Sequence, residues 1–362
     1  MNMGCDWKKN WNESRTHYEA WWRREGLVAS IWGNGIIRNP CKGLSTSMPA
    51  HSSLAHWNDA QAFAAAERSA LAEKEFPLDI VPFVYTDYGT VSLAPLLGSP
   101  IHFGKDTIWY SPSGISPDND YELKFDPDHP FWKNLCRVVE ESMKRAGDDY
   151  FVGAPAFAPG LDVLAELRGT AELMTDLIYS PDWVHSKLRE IQSVSYTAIE
   201  ELYPLLRNSE GILFHAFFMF CSSSVAALAQ CDSAALISPD MFEEFCLPYL
   251  QEYCSRFDNV LYHVDGPDAL RTVDMLLEVE NLRAIEFTPG PQVPSGDDPC
   301  WYGLYKKILK AGKSVQAVWI KPDTEGIRRL LDAVGPKGMY LEIEIETASQ
   351  ADQIERALEP YR

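Results

Sequence analysis

Apolar and polar residues alternate in blocks along this chain, and the blocks predict short strands that alternate with amphipathic helices. Apolar runs that end at glycine, proline or acidic residues are typical of buried strands. Segments whose apolar residues recur every three or four positions are typical of helices. The predicted strands span residues 27–32, 80–85, 150–154, 211–219, 260–263, 282–287, 314–319 and 339–345.

Strands and helices alternate from Asp79 onwards, at intervals of roughly 20 to 60 residues that suit repeated βα units. A closed (β/α)8 barrel, the α/β fold of TIM-barrel type, is the most economical architecture for this order. An open doubly wound sheet is the alternative. We expect residues 1–59 to form an N-terminal helix and extension packed on the barrel. Residues 60–362 would form the catalytic barrel, in one domain overall.

The charge of the chain limits the partners that it can bind. Its 362 residues include 52 acidic and 32 basic side chains, which gives a net charge of −20. Phosphate binding needs clustered lysine and arginine, so we expect neither nucleic acid nor an anionic membrane as a partner. No run approaches the roughly 18 apolar residues of a membrane span, and residues 1–25 lack the apolar core of a signal peptide. We expect a cytoplasmic protein.

The most informative stretch for function is the predicted strand that ends at residue 265. His263 and Asp265 lie two positions apart, so their side chains point to the same face of the strand. Gly266 and Pro267 then end the strand. An imidazole and a carboxylate are thereby predicted at the carboxyl end of a strand, where parallel α/β folds bind their ligands.

The last predicted strand carries three glutamates on one face. Residues 339–346 alternate strictly between apolar and polar, so Glu342, Glu344 and Glu346 point the same way. A one-residue error in register would turn the whole row outwards. We take Glu344 as the candidate that reaches the site, although alternation alone does not distinguish the three.

Further candidates lie at or near the ends of other predicted strands. The catalytic candidates are Asp87, Asp265, Glu286 and Glu344. The candidates for substrate binding are Tyr85, Trp109, Trp319 and Lys321. The candidate metal ligands are His263, Asp265 and Glu344.

Two chemistries fit these candidates. A histidine and two carboxylates can hold a divalent ion, such as zinc, with positions left open for substrate. Crowded carboxylates without a metal can instead divide acid and base roles, because their pKa values separate. Each residue alone also has an ordinary structural explanation, such as a turn, a buried hydrogen bond or a solvated edge strand.

The sequence lacks the common motifs that bind a nucleotide cofactor or a catalytic zinc ion. The sequence contains no glycine-rich nucleotide motif and no HExxH zinc motif, so no nucleotide cofactor is expected. The eight cysteines include no CxxC pair and fit neither a zinc ribbon nor a disulfide framework.

Several segments resemble motifs of a known superfamily. Residues 85–89 are Tyr-Thr-Asp-Tyr-Gly, residues 238–239 start a helix with Ser-Pro, and residues 262–266 are Tyr-His-Val-Asp-Gly. Over roughly residues 60–360, the chain resembles the uroporphyrinogen decarboxylase superfamily, which includes the decarboxylase and the corrinoid-linked methyltransferases. Residues 21–25, Trp-Trp-Arg-Arg-Glu, are similar to an uncharacterised, trimethylamine-corrinoid-like subgroup. The resemblance implies a (β/α)8 barrel with its site at the carboxyl ends of the strands.

The chain departs from both branches of that superfamily. In the methyltransferases, zinc is held by a His-x-Cys pair and a later cysteine. In this chain Asp265 occupies the position of the first cysteine, and residues 342–346, where the later one would lie, contain no cysteine. The resemblance therefore implies oxygen ligands for any metal. Asp87 matches the aspartate with which the decarboxylase holds its tetrapyrrole. Residues 38–49 offer only Arg38 and Lys42 for a polyacidic substrate, so we do not expect decarboxylation of uroporphyrinogen.

We therefore expect an enzyme that transfers or removes a methyl (C1) group on a small compound. A corrinoid protein or a folate would be its partner in methyl transfer, and the chain could form a homodimer. One alternative is a carbohydrate-active enzyme, a glycoside hydrolase or a sugar isomerase, that uses paired carboxylates. A non-catalytic ligand-binding barrel is the other alternative.

Overall fold

A parallel six-stranded sheet forms the centre of the protein. The computed structural model describes residues 4–37, 57–103 and 108–362. The strands of this sheet, in spatial order, are β1 (Val28–Ile31), β14 (Met339–Ile343), β13 (Ser314–Ile320), β12 (Leu282–Thr288), β11 (Asn259–Asp265) and β10 (Ala226–Gln230). All five pairings between them are parallel, so all six strands end at the same edge.

Shorter strands extend the arrangement beyond β1. They are β2 (Ile36–Ile37), β3 (Lys74–Glu75), β4 (Phe83–Val84), β5 (Ile101–Phe103), β6 (Ile108–Tyr110), β7 (Phe151–Val152), β8 (Leu213–His215) and β9 (Phe220–Ser222). β4 pairs with β7 in parallel, and β2–β3, β5–β6 and β8–β9 are antiparallel pairs. The amide of Asp79 donates to Ala29 of β1 at 2.8 Å, and the amide of Ala154 donates to Phe214 of β8 at 2.7 Å. The first bond connects β1 to the segment before β4, and the second connects the segment after β7 to β8.

The two ends of this series meet at β8 and β10. His215 on β8 is hydrogen-bonded through Nε2 to the carbonyl of Ala226 on β10 at 3.1 Å. No strand ladder joins β8 to β10 within the described ranges. The structure therefore confirms a mixed α/β fold with a parallel sheet, whereas a closed ring of paired strands is not found among these residues.

Helices follow most of the strands. The α-helices are α1 (Trp11–Trp22), α2 (Ala60–Ala72), α3 (Pro130–Ala146), α4 (Leu161–Arg168), α5 (Thr170–Tyr179), α6 (Pro181–Leu202), α7 (Pro239–Phe245), α8 (Leu247–Arg256), α9 (Gly266–Ala269), α10 (Val273–Leu277), α11 (Tyr302–Lys310), α12 (Thr324–Val334) and α13 (Ala348–Leu358). Short 3-10 helices span Pro95–Leu97, Tyr203–Leu206, Asp232–Ala235, Leu270–Thr272, Pro299–Trp301 and Glu359–Tyr361. Ser238 caps α7 by accepting from the amide of Met241, with Pro239 at the first helical position, as the sequence predicts. No helix in the described ranges has the length and apolarity that a membrane span requires.

Helix α1 covers the sheet at the end opposite to the strand carboxyl ends. Its Trp21 and Trp22 are buried and donate indole N–H groups to the carbonyls of Val315 and Cys221, at 3.1 and 2.9 Å. These bonds satisfy polar atoms that burial would otherwise leave without partners. The N-terminal helix thus packs on the sheet. The predicted extension at residues 38–56 lies outside the described residues, and the division at residue 59 stays a prediction.

Two strands differ from their predicted limits. The apolar run 211–219 predicts a single strand, but the chain turns after His215 and returns as β9. β10 is absent from the predicted set, because the Ala-rich run Ala226–Gln230 lacks the β-branched residues that mark most strands. Its carboxyl end brings Asp232 to the functional edge.

A pH-dependent stability test follows from His215. Burial lowers the pKa of this histidine to about 4, whereas an exposed histidine titrates near 6.5. As the pH falls from about 6.5 to about 4, the unfolded chain binds a proton that the folded chain does not, so His215 weakens folding. We expect wild type to lose about 3 kcal/mol more than His215→Gln over this interval, measured by urea unfolding. Exposed His102→Gln serves as control, and identical pH profiles for wild type and His215→Gln would contradict the prediction.

Candidate active site at the carboxyl ends of the strands

A cavity of about 300 Å³ opens at the carboxyl ends of the parallel strands. Its walls combine aromatic rings with a small group of polar side chains, as in many small-molecule sites. The lining residues are Trp32, Gly33, Asn34, Phe83, Tyr85, Thr90, Ala216, Phe217, Phe218, Met219, Gln230, Asp232, His263, Asp265, Glu286, Thr288, Val318 and Glu342.

Four polar side chains stand at one level of the sheet, which we call the polar row: Gln230, His263, Glu286 and Gln316. The strand register pairs Gln230 with His263, His263 with Glu286, and Glu286 with Gln316. Residues paired in a parallel register project from the same face, so the row points into the interior together. Three of its members line the cavity.

Glu286 holds the imidazole of His263. Its Oε2 is hydrogen-bonded to Nδ1 of His263, and its Oε1 accepts from the hydroxyl of Thr288 at 2.6 Å. Glu286 is fully buried, so its carboxylate depends on these two partners. The bond to Nδ1 fixes the orientation of the ring and leaves Nε2 facing the cavity.

The carboxylates around His263 keep a proton on its ring. Burial alone would lower the pKa of His263, but the charge and hydrogen bond of Glu286, with the charges of Asp232 and Asp265, raise it to about 9. Nε2 of His263 lies 3.9 Å from Oδ1 of Asp232. In the absence of a metal, this histidine is an imidazolium at neutral pH.

Asp232, His263 and Asp265 form a cluster that could bind a cation. One ligand atom from each lies within 4.8 Å of the others. Asp162 fixes the chain around Asp232, because its carboxylate accepts from the amides of Asp232 and Ser233 at 2.8 and 3.0 Å. Partial burial and then the neighbouring carboxylate of Asp162 raise the pKa of Asp232 to about 7.

The chemistry of this cluster fits a divalent ion of the zinc class. One imidazole nitrogen and two carboxylate oxygens are a common three-ligand set for such ions, with a further position open to substrate. The bond from Glu286 to Nδ1 is the usual outer support of a metal-bound histidine. A thiolate site does not fit, because the cluster contains no cysteine.

Glu342 contributes a buried carboxyl group to the cavity lining. It is buried on β14, and its Oε1 accepts from Nε2 of Gln316, which also donates to the carbonyl of Phe218 at 2.8 Å. Burial, followed by repulsion from Glu286, raises its pKa well above the ordinary range, although the Gln316 bond opposes the shift. The shift favours the protonated form of Glu342, the form that donates a proton.

The structure brings together some of the predicted catalytic residues and separates others. Asp265 and Glu286 line the cavity beside His263. Glu344 is exposed and lies outside the cavity lining, because β14 ends at Ile343. The glutamate of the last strand that faces the cavity is Glu342. Glu344 was predicted to bind a metal with His263 and Asp265, but Asp232 lies beside those two residues instead.

Asp87 is fully buried beside the cavity rather than in its lining. Its Oδ1 accepts from the amide of Ala156 and the hydroxyl of Ser92, and its Oδ2 has no hydrogen-bond partner among the described residues. Burial raises its pKa to about 7. Through these contacts, Asp87 connects the loop after β4 to the loop after β7.

The predicted substrate-binding residues also divide. Tyr85 lines the cavity, whereas Trp109 stacks on His102 outside it. Lys321 is exposed outside the lining. Trp319 packs against Trp32 with its backbone at φ +55°, where the β13–β14 register shifts, and Val318 takes the cavity position instead.

Asp232 is the main site residue that was not predicted from the sequence, and Glu342 was predicted only as one of three alternatives. Asp232 follows an apolar run, as His263 and Asp265 do, and this run could have predicted a strand that ends near Asp232. Glu342 lies within the predicted glutamate row, so its presence was expected and only the choice among the three was not.

Comparison with solved structures identifies a similar fold. The fold is similar to that of a methyltransferase from Methanosarcina mazei. The two structures align with a TM-score of 0.61 over 96% of this chain and 98% of the other, at 12% sequence identity. No family model and no curated protein sequence matches the chain. At this identity the likeness concerns the fold alone.

A spectroscopic prediction follows from the Glu286–His263 pair. In metal-free protein, we expect the Glu286→Gln substitution to lower the pKa of His263 from about 9 to below about 7, because the largest attractive charge is removed. Ring NMR signals recorded across the pH range would measure this change. Glu344→Gln removes an equal charge outside the cavity and should leave the pKa nearly unchanged. Equal shifts in the two variants would contradict the pairing.

Proposed function

We propose that this protein is a methyltransferase-type enzyme that takes a methyl (C1) group from a small methylated or alkoxylated compound. The observation that carries this proposal is the Asp232–His263–Asp265 cluster at the mouth of an aromatic-walled cavity of about 300 Å³. A cavity of this size suits a small compound. The strand order also favours a barrel-like architecture, whose chemistry takes place at the carboxyl ends of the strands.

Two further observations support methyl transfer. The fold is similar to that of a methyltransferase over nearly the whole of both chains. Residues 262–266 also resemble the zinc-binding segment of the corrinoid-linked methyltransferases, with an aspartate in place of a cysteine. The acceptor of the methyl group would be a corrinoid protein or a folate.

The cluster would hold a divalent ion through Asp232, His263 and Asp265. Such an ion, when bound, acts as a Lewis acid on an oxygen or nitrogen atom of the substrate. Glu286 and Thr288 keep Nε2 of His263 aimed at the cluster. Asp162 does the same for the backbone that carries Asp232.

Methyl transfer in this cavity is a displacement at carbon. The electron pair of the acceptor forms a bond to the methyl carbon, and the bond from that carbon to the leaving oxygen or nitrogen breaks. The electron pair of the broken bond stays on the leaving atom. A leaving oxygen would then take a proton from the carboxyl group of Glu342, whose buried position favours the protonated form.

Transfer of a labelled methyl group tests the proposed activity. The protein is mixed with reduced cobalamin or tetrahydrofolate and a panel of ¹³C-methyl ethers, alcohols and ammonium compounds, and the acceptor is examined by mass spectrometry. We expect a labelled acceptor with at least one donor, and about a hundredfold slower labelling with Glu342→Gln for oxygen donors. Hydrolysis of a glycoside panel without any methyl transfer would instead favour the carbohydrate-active alternative.

Metal binding tests the cluster separately from activity. We expect about one zinc ion per chain in calorimetric titration. Asp232→Asn and His263→Ala should each lower the zinc affinity by about tenfold or more, because each removes a ligand. Glu344→Gln should bind zinc as wild type does, since its carboxylate lies outside the cavity. Weaker binding in Glu344→Gln with unchanged binding in Asp232→Asn would contradict this assignment.

A further inference from the structure

A second cavity, of about 470 Å³, lies at the end of the sheet opposite to the candidate active site. It is enclosed by the last turns of α1 and by the first residues of β11 and β12, and arginines dominate its lining. They are Arg15, Arg23, Arg24 and Arg283. Because β11 runs for seven residues from Asn259 to Asp265, the lining residue Asn259 lies about 20 Å from the acidic cluster at the other end of the strand.

We propose that this second cavity binds a small organic dianion, a compound whose charge is carried by one phosphate group or by two carboxylate groups. The site is distinct from the candidate active site and does not depend on the proposed function. Three features support it: the charge of the lining, the lack of ion-pair partners for two of its arginines, and the backbone conformation of Arg24.

The charge of the lining favours an anion of this size. Four arginines face two carboxylates, those of Glu19 and Asp258, so the lining residues carry a net charge of +2. The chain as a whole carries −20. A large polyanion such as nucleic acid would be repelled by the acidic remainder of the surface, whereas a small ligand inside the cavity would interact mainly with the arginines.

Two of the arginines have no carboxylate partner. Arg15 and Arg23 each pair with a glutamate, at 3.1 and 2.8 Å. Arg24 and Arg283 form no ion pair with any described residue, and Nε of Arg283 donates to the carbonyl of Asp258 at 3.3 Å. A guanidinium group presents five donors in a planar fork that matches the oxygens of a phosphate or a carboxylate. Arg24 and Arg283 therefore retain donors for a ligand.

The charges of the same two arginines act together on a third cation. Lys313 is buried, and its Nζ donates to the carbonyls of Val279 and Leu282 at 2.6 and 3.0 Å. Burial lowers the pKa of Lys313, and the positive charges of Arg283 and Arg24 also lower it. Three cationic side chains thus lie near one another at this end of the sheet, and an anion bound by the two arginines would relieve their mutual repulsion.

Arg24 occupies a backbone position that favours glycine. Its φ is +60°, in the left-handed region. Its amide donates to the carbonyl of Trp21 at 2.9 Å, and the amide of Glu25 donates to the carbonyl of Ala20 at 2.8 Å, the pattern of a helix end that glycine usually completes. An arginine here costs stability that glycine would not, and such strained positions cluster at binding sites. The side chain of Arg24 lines the cavity, which gives that cost a function.

Calorimetry with three probes tests the proposal: glycerol 3-phosphate, succinate, and glycerol, which is the neutral counterpart of the first. We expect at least one dianion to bind with a Kd of about 1 mM or tighter, and glycerol not to bind measurably. The dianion that binds more tightly identifies the preferred anionic group. Absence of binding by both dianions at about 10 mM, or equal binding of glycerol, would overturn the proposal.

Substitutions of the two unpaired arginines locate the site. Arg24→Gly and Arg283→Gln should each weaken binding of the dianion about tenfold, because each removes a guanidinium group. Arg356→Gln removes an exposed arginine of α13 outside the cavity and should leave the affinity unchanged. Unchanged affinity in both lining variants, or an equal loss in Arg356→Gln, would contradict the assignment.

Arg24→Gly also separates binding from folding. Glycine adopts this backbone conformation without strain, so we expect the urea midpoint of unfolding to be equal to or above that of wild type although binding is weaker. A lower midpoint would instead mean that Arg24 supports the fold and would reject its role in binding.

A variant at the opposite end of the sheet separates this proposal from the proposed function. His263→Ala removes a member of the candidate metal cluster and should bind the dianion as wild type does. Loss of dianion binding in His263→Ala would place the ligand in the other cavity and reject the second site, whatever the outcome of the methyl-transfer and zinc experiments.

Discussion

The burial of the polar row, Gln230, His263, Glu286 and Gln316, is the constraint on which the site depends. Parallel register places these side chains at one level inside the protein, where a polar group without a partner costs several kcal/mol. Each member has at least one hydrogen-bond partner: Gln230 donates to Asp162 at 3.5 Å, whereas Oε1 of Gln316 has no partner among the described residues. Glu286 is bound by His263 and Thr288, and Gln316 connects Glu342 to a backbone carbonyl.

This constraint orients the chemistry at the cavity. Because the buried Glu286 needs a proton donor, His263 turns Nδ1 inwards and presents Nε2 to Asp232 and Asp265. Removing one partner of such a buried pair leaves the other charge uncompensated, at about 3–5 kcal/mol. The same network that stabilises the interior thus aims a potential metal ligand at the cavity. We therefore expect a substitution in the polar row to change both the stability of the fold and the orientation of the site residues.

Local pattern predicted five of the six strands of the central sheet and missed β10, whereas three-dimensional irregularities decided which side chains enter the cavity. Alternation correctly placed His263 and Asp265 on one face, and both contribute to the cluster. Alternation could not reveal that β14 ends at Ile343, which leaves Glu344 exposed and Glu342 inside. The register shift in β13 that removes Trp319 from the cavity likewise depends on neighbouring strands. Such shifts arise from packing between strands, and a single sequence carries little signal for them.

Anomalous X-ray diffraction at the zinc edge tests the central claim most directly, because it locates the ion rather than its effects. Crystals grown with zinc should show one strong peak between Asp232, His263 and Asp265. Its distances to Nε2 of His263 and to the carboxylate oxygens should be about 2.0–2.2 Å. The absence of a peak there at saturating zinc, or a peak bound by other residues such as Glu344, would contradict the account.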